Sequence, residues 1–385
     1  MLLDFVIWVS LAALVYTFVG YPLLMAGWAR LRPHPVRRAA ITPPLTLLIC
    51  AHNEEDVLER KLENALSLDY PKESLEILVV DDGSTDRTAE IVKRFADRGV
   101  RLESQHPRQG KSLAVNLGVA RATGEIVVLS DASPDYATDA LRNAVRHFAD
   151  PDVGVVSGRI RLKDSASMVE VPAGLYWKYQ ELLCVWESAT GTTVGVNGNL
   201  FAFRRVLFAP LAAETINDEF TVAMNIAKRG HRVLYDPEAV THDIVSSSMS
   251  DEVARRARIN AGRYQALLQT SFLSLDNVGL TFRLVSHKLS RPLAPLFMIG
   301  LLVACLVDST RSEDVVAGAL LGGQALLYGM AWVGWIAERR QWPKIRIVSV
   351  PYFFVSGNVA ALIGLYRYVT GRQSVTWQKR TVASA

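Results

Sequence analysis

The sequence predicts a mostly parallel α/β domain set between an N-terminal membrane-spanning helix and a C-terminal helical membrane region. Three observations predict it: residues Phe5 to Trp28 contain no charge, short β-rich runs alternate with helical spacing between residues 45 and 129, and apolar runs return after Pro292. At 385 residues the chain is too long for one ordinary domain. Half of it is apolar, which excludes disorder, and its three cysteines (Cys50, Cys184, Cys305) cannot make a disulfide framework. A net charge of +4 from 42 basic and 38 acidic residues gives no reason to expect a nucleic-acid partner.

The first element, residues 1–30, contains enough uncharged chain to cross a hydrocarbon core of about 30 Å. It lacks a basic leader and carries Asp4, so it reads as a span and not as a cleaved signal peptide. Arg30, Arg32, Arg37 and Arg38 follow with no acid before Glu54, which places this flank in the cytoplasm. Residues 44 to about 270 are then expected to be cytoplasmic, and residues 271–385 to form an interfacial helix followed by spans at about 292–307 and 315–336. Asp308, Glu313 and Asp314 would lie outside, and Arg339, Arg340, Lys344 and Arg346 inside. The run 347–366 holds Pro351 and Gly357, and its crossing would leave Arg367, Arg372, Lys379 and Arg380 outside. An interfacial or re-entrant segment with a cytoplasmic tail is expected there.

Within the polar middle of the chain, Leu45–Cys50, Glu76–Val80 and Ile126–Leu129 read as strands, separated by helical stretches at Glu54–Leu66, Arg87–Phe95 and Lys111–Ala122. Each strand ends in a polar cluster: Ala51-His52-Asn53-Glu54, Asp81-Asp82-Gly83-Ser84 and Ser130-Asp131-Ala132-Ser133. Ligands of open α/β sheets bind beyond the carboxyl ends of the strands, so the three clusters should converge on one site. Its acidity argues for a divalent cation if the ligand is a phosphate, with Mg²⁺ or Mn²⁺ held by one or two carboxylates plus substrate oxygens. Asp131 is the leading candidate. Turn chemistry explains any one cluster alone, but three in register exceed it. No Gly-x-Gly-x-x-Gly follows the first strand and no complete P-loop occurs; Gly110-Lys111-Ser112 is a fragment of one. Lys111 opens a helix and could reach a phosphate or a base, although a solvated helix start reads equally well.

With these residues in view, the chain resembles a membrane-anchored family 2 glycosyltransferase related to polysaccharide synthases. Ala51-His52-Asn53-Glu54-Glu55, Asp81-Asp82-Gly83-Ser84, Gly110-Lys111 with Asn116 and Gly118, and Asp131-Ala132-Ser133 follow the family's order. The resemblance implies a GT-A fold, a Rossmann-like mostly parallel sheet that binds a nucleotide sugar, most often a UDP sugar. It assigns residues 44–165 to the donor, and 166–270 to the acceptor and the chemistry. Asp82 and Asp81 would contact base and ribose, Ala51, Asn53 and Glu54 would belong to the same site, and Lys111 would lie near the nucleotide. Asp131 and Ala132 would open the family's Asp-x-Asp metal motif. Here Ser133 stands at the second carboxylate, so Mn²⁺ or Mg²⁺ would rest on Asp131 and Ser133, with His242 as a further ligand. A structural role is the commoner use of a histidine after a strand such as Val233–Asp236.

The resemblance also places Asn217-Asp218-Glu219 on the family's Glu-Asp base motif, with Asp218 as the base and Glu219 as the alternative. A carboxylate there would take the proton of an acceptor hydroxyl attacking the anomeric carbon, and single displacement would invert that carbon. Arg255 to Gln265 resembles the Gln-x-x-Arg-Trp region of processive synthases, with Arg258 suited to the departing diphosphate. Arg255 replaces the glutamine and Ile259 the tryptophan, which argues against long-chain polymerisation. Trp177, Trp186, Gly195 and Asn197-Gly198-Asn199 fall where the family builds its acceptor pocket, and Val375 to Arg380 resembles a gating segment. The expected protein is an inverting transferase acting on a lipid-linked saccharide or growing exopolysaccharide, multi-pass in an inner or plasma membrane with its catalytic domain in the cytoplasm. A processive synthase exporting its product would need a homo-oligomer or polysaccharide-assembly partners. The incomplete Asp-x-Asp motivates a third alternative, a non-catalytic nucleotide-sugar sensor or assembly subunit.

Overall fold

A computed structural model describes residues 1–163, 170–244, 248–269, 272–273, 275–310, 314–342 and 346–373. Eight strands form one sheet: β1 (Leu45–Ala51), β2 (Leu75–Asp81), β3 (Val100–Ser104), β4 (Ile126–Ser130), β5 (Asp135–Tyr136), β6 (Val153–Lys163), β7 (Phe201–Arg204) and β8 (Arg232–Ile244). Their order is β3-β2-β1-β4-β7-β6-β8-β5. The pairs β3–β2, β2–β1, β1–β4 and β6–β8 are parallel, while β7 runs antiparallel to both β4 and β6, and β5 antiparallel to β8. Every residue of β1 is buried, which explains why it reads as a continuous apolar run: a parallel strand covered on both faces has no solvent side to alternate toward.

Helices α2 (Leu58–Leu66), α3 (Thr88–Arg94), α4 (Lys111–Arg121), α5 (Ala140–Val145), α6 (Glu170–Ala189) and α7 (Asp218–Lys228) fill the connections. Two apolar clusters form the core. One holds Leu47, Ile49, Leu62 and Val128, the other Leu48, Val115, Phe203 and Met224. The sequence starts the first of these helices at Glu54, but α2 begins only at Leu58, because residues 53–57 are drawn into the loop that joins the ends of β1 and β2.

Among the described residues four helices are long and apolar enough to cross a membrane: α1 (Leu2–Leu31), then, beyond α8 (Met249–Gln269), α9 (Val278–Ser309), α10 (Val315–Arg339) and α11 (Arg346–Val369). Phe5, Trp8, Leu23, Ile299, Val303, Leu326 and Trp332 stand exposed on them, an apolar surface that lipid would cover. Ile7 of α1 packs with Leu301, Ala304 and Cys305 of α9, joining the N-terminal span to the C-terminal region.

The segment expected to re-enter is instead one continuous helix, α11, running through Pro351. Pro351 forfeits the hydrogen bond to the carbonyl of residue 347, yet the helix continues through it. Amphipathic α8 lies parallel along α11: Arg256 sits 4.5 Å over the Phe353 ring, Tyr264 stacks on Tyr368 at 6.0 Å, and a Cβ on Gly364 would meet Ala257 and Asn260. The segment Val375 to Arg380 lies outside the described residues.

Candidate active site

The carboxyl ends of β1, β2 and β4 are adjacent in the sheet, so the three polar clusters meet. Those of β1 and β2 are laced together. Asn53 has φ 57°, a left-handed conformation that asparagine tolerates better than other side chains, and its amide donates to Ser84 Oγ at 2.9 Å. Thr85 N donates in return to Asn53 Oδ1 at 2.8 Å, and Glu54 N donates to Thr88 Oγ1. Ala51 is buried, and its carbonyl accepts from Asp82 N. Gly83 has φ +65°, and a Cβ on it would lie 2.9 Å from Arg108 N, so this turn admits only glycine.

The two aspartates at the end of β2 have different surroundings. Asp82 is 0% exposed, and its carboxylate accepts from Gln105 Nε2 (2.6 Å), Gln109 N (2.7 Å) and Gly110 N (2.9 Å). It holds loop 105–110, the entry to α4, at the strand end where the sequence places the nucleotide. Asp81 is equally buried, but only its Oδ1 is engaged, by Ser84 N; Oδ2 has no hydrogen-bond partner among the described residues. A buried acceptor left unmatched costs about 1–3 kcal/mol, which a ligand N–H or O–H would recover.

Because Asp82 fixes its loop, the first residue of α4 projects into the cleft. The Lys111 ammonium lies 2.9 Å from Asp131 Oδ1, 3.2 Å from Asp218 Oδ2 and 2.7 Å from Glu219 Oε1. Three carboxylates from the end of β4 and the first turn of α7 thus surround one cation. Asp218 and Glu219 are coupled through a mutual hydrogen bond. Burial, then the charge of Glu219, raises the pKa of Asp218, while at Glu219 burial is outweighed by the charge of Lys111 together with hydrogen bonds from Asp218, Lys111 and the backbone, which hold that group low. The pair therefore keeps a proton on Asp218 under conditions where free carboxylates are ionised.

Supporting residues surround this cluster. A Cβ on Gly198 would overlap Glu219 Oε1, so glycine is what lets the 195–199 loop pass the acid pair. Behind Asp131, α2 grips the following loop. Arg60 Nη2 donates to the Ser133 carbonyl at 2.8 Å, and Lys61 Nζ donates to the Pro134 carbonyl at 2.7 Å while lying 4.1 Å over the Tyr136 ring. Burial brings the Lys61 ammonium down to about 7. Nothing in the sequence marks Arg60, Lys61, Gln105 and Gln109, because their contacts are long-range; the glycine of Asn197-Gly198-Asn199 is the one signal available.

The remaining expected residues divide. Ala132 is buried in the core beneath the end of β4. Arg258 is half-buried on α8, one turn before Gly262, whose position packs on Asn217 beside Asp218. Trp186 packs against Tyr21, Met25 and Leu183, and Trp177 against Tyr176, both as core. His242 pairs with Asp135 across β8 and β5 and lines a cleft of about 540 Å³ with Asn143, Arg159, Arg161 and Glu238. Among the described residues no three His, Cys, Asp or Glu side chains are grouped to hold a metal. Asp131, whose side chain is 43% exposed at the cleft mouth, offers one carboxylate, which fits a cation that takes its other ligands from a bound diphosphate and water.

Residues 46–207 match the family model described as glycosyl transferase family 2. This segment is a family 2 glycosyltransferase domain. It contains the three strand ends and Lys111, while the acid pair of α7 lies just beyond it. Among curated proteins the chain is similar to the poly-β-1,6-N-acetyl-D-glucosamine synthase of Staphylococcus aureus, 27% identical over 240 residues, covering 60% of this chain and 57% of that protein. The match thus spans less than two thirds of the relative's length. Among solved structures it is similar to a mannosyltransferase of Pyrobaculum calidifontis in complex with GDP-mannose and Mn²⁺, with a TM-score of 0.71 and 27% identity, covering 93% of this chain and 99% of that one. At 93% of the chain, this similarity extends beyond the family 2 domain to the apolar helices.

Proposed function

We propose that the protein is an inverting glycosyltransferase that moves a sugar from a nucleoside diphosphate donor in the cytoplasm to a hydroxyl of a membrane-associated acceptor. The observation that carries this reading is the convergence of Asp131, Asp218 and Glu219 on Lys111, in a family 2 domain at the carboxyl ends of parallel strands. The donor's diphosphate enters between Lys111 and Asp131, and its nucleoside meets the unpartnered Asp81 Oδ2 beside Asn53 and Glu54. Asp82 and Asp81 contact the base and ribose, and Asp82 also holds the loop that positions Lys111. Asp218, whose raised pKa lies closer to neutrality than a free carboxylate's, takes the acceptor proton, and general-base assistance of this kind contributes about 10²- to 10⁴-fold. Arg258 faces the departing diphosphate. Asp131 would hold a Mn²⁺ or Mg²⁺ shared with the donor, and that ion would offset charge on the leaving group. The Mn²⁺ of the Pyrobaculum complex supports this choice.

Residues 44–165 serve the donor and 166–270 the acceptor. Helix α11 lies in the interface, because one of its faces is covered by the charged α8, and this keeps the basic segment after it in the cytoplasm. Similarity to the Staphylococcus synthase favours a second reading, a processive polymerase, which product length with labelled donor would separate from single transfer. To test the first reading, full-length protein in a bilayer is given a panel of UDP and GDP sugars with Mn²⁺ or Mg²⁺. Cation-dependent release of one diphosphate is expected. Release of none, with nucleotide still bound, would favour a sensor or assembly subunit.

A further inference from the structure

Where α6, α8 and the start of α9 meet, basic side chains gather without acids among the described residues to match them. Arg291 Nη1 donates to Gln180 Oε1 at 2.6 Å and its guanidinium lies 4.9 Å over the Tyr179 ring, yet its Nε and Nη2 are buried with no hydrogen-bond partner among the described residues. Arg263 reaches Asn260 and Tyr176. Lys288 is 5% exposed and makes no ion pair among the described residues, although it feels the charges of Arg263 and Arg291. The nearest carboxylate, Glu187, is taken: it accepts from Tyr21 Oη, Thr193 Oγ1 and Val194 N, and pairs with His287. Glu252 serves Arg255 and Arg256. At Tyr176, burial would push the phenol pKa up, but Arg256, Arg263, Arg291 and Arg255 outweigh it and hold the group low.

Uncompensated charges half buried at the foot of a membrane helix are expensive, and they persist where an anion completes them. Arginine beside tyrosine hydroxyls presents the planar donors that phosphate oxygens accept. The place is also informative. A Cβ on Gly195 would meet Gln180 and His287, at the edge of this cluster, while one on Gly198 would meet Glu219. Three residues of chain span at most about 11 Å, so the cluster and the acid pair are neighbours along one loop.

We propose that Arg263, Lys288 and Arg291, with Tyr176 and Gln180, bind the phosphate of a membrane-embedded acceptor and present its hydroxyl to the Asp218–Glu219 pair. This rests on the transferase reading for the word acceptor, but the anion site stands on its own geometry. The lipid tail leaves along α9, whose outer face carries exposed Leu296, Ile299 and Val303.

The test uses full-length protein in phosphatidylcholine nanodiscs, with decyl phosphate as the probe and intrinsic tryptophan fluorescence as the readout. Decyl phosphate should bind saturably, decanol should not compete, and inorganic phosphate should bind at least tenfold more weakly. The pair Arg263→Gln and Arg291→Gln should weaken decyl phosphate at least tenfold while leaving Mn²⁺-dependent UDP or GDP binding within twofold. If that double variant does not fold, Lys288→Met should weaken decyl phosphate at least threefold, and the competition series on the natural protein decides independently. Equal binding of decanol, equal binding by the variants, or equal affinity for inorganic phosphate would overturn the proposal. So would displacement of the probe by discs containing 20% phosphatidylglycerol, which would mark a site for bulk lipid. Phosphate-dependent binding without sugar transfer from any donor would leave the site standing and remove the transferase reading.

Discussion

The candidate active site and the basic cluster at the start of α9 are built with opposite imbalances of charge. In the cleft one ammonium, Lys111, faces three carboxylates. In the basic cluster Arg263, Lys288 and Arg291 face no available carboxylate among the described residues. A folded protein leaves such surpluses only where a ligand balances them, since an unmatched buried charge costs several kcal/mol. The first surplus suits a cation carried in with a diphosphate, the second an anion carried in on a lipid. The loop from Gly195 to Gly198 connects the two.

The largest effect is expected when the balance of the cleft is broken. Lys111→Met leaves the carboxylates facing one another and should destabilise the protein by about 3 kcal/mol at neutral pH. Thermal unfolding should show the loss shrinking as pH falls, because Glu219, whose pKa Lys111 helps to hold low, takes up a proton more readily once that cation is gone. Asp82→Ala strands the donors of Gln105, Gln109 and Gly110 and should cost about 2 kcal/mol, read by chemical denaturation. It should also lower kcat/KM by displacing Lys111. The pH profile sharpens the picture further. Asp218 is a base only when ionised, so kcat/KM should rise with pH through its raised pKa; Glu219→Gln removes the neighbouring charge and should move that limb to more acidic pH. The smallest effect is expected from Gly198→Ala, whose methyl would press Glu219 away from Lys111. Activity should fall several-fold with little change in the melting temperature.

Much of the fold was legible because it depends on period. The runs at Leu45, Glu76 and Ile126 alternate with helical spacing, and all three became parallel strands whose ends adjoin. The antiparallel β7, inserted between β4 and β6, was not legible, since four residues, Phe201–Arg204, carry no pattern that names partners 44 or more residues away. In the site the residue types were readable, but their pairings were not. Adjacent Asp81 and Asp82 look alike in sequence, and only the fold shows that one is enclosed by amides while the other keeps an open oxygen. Lys111 read as a solvated helix start as readily as a ligand group, because the acids that surround it come from positions 131, 218 and 219. Pro351 and Gly357 suggested a broken segment, yet packing against α8 keeps α11 continuous.

The most direct measurement is single-turnover sugar transfer by Asp218→Asn, with donor affinity recorded on the same sample. The swap keeps shape and removes the group's capacity to take a proton. Transfer should drop by about 10²-fold or more while donor binding with Mn²⁺ stays within threefold. Transfer at the natural rate would contradict the account, because the acids around Lys111 would then be a structural ion cluster and the chemistry would lie elsewhere.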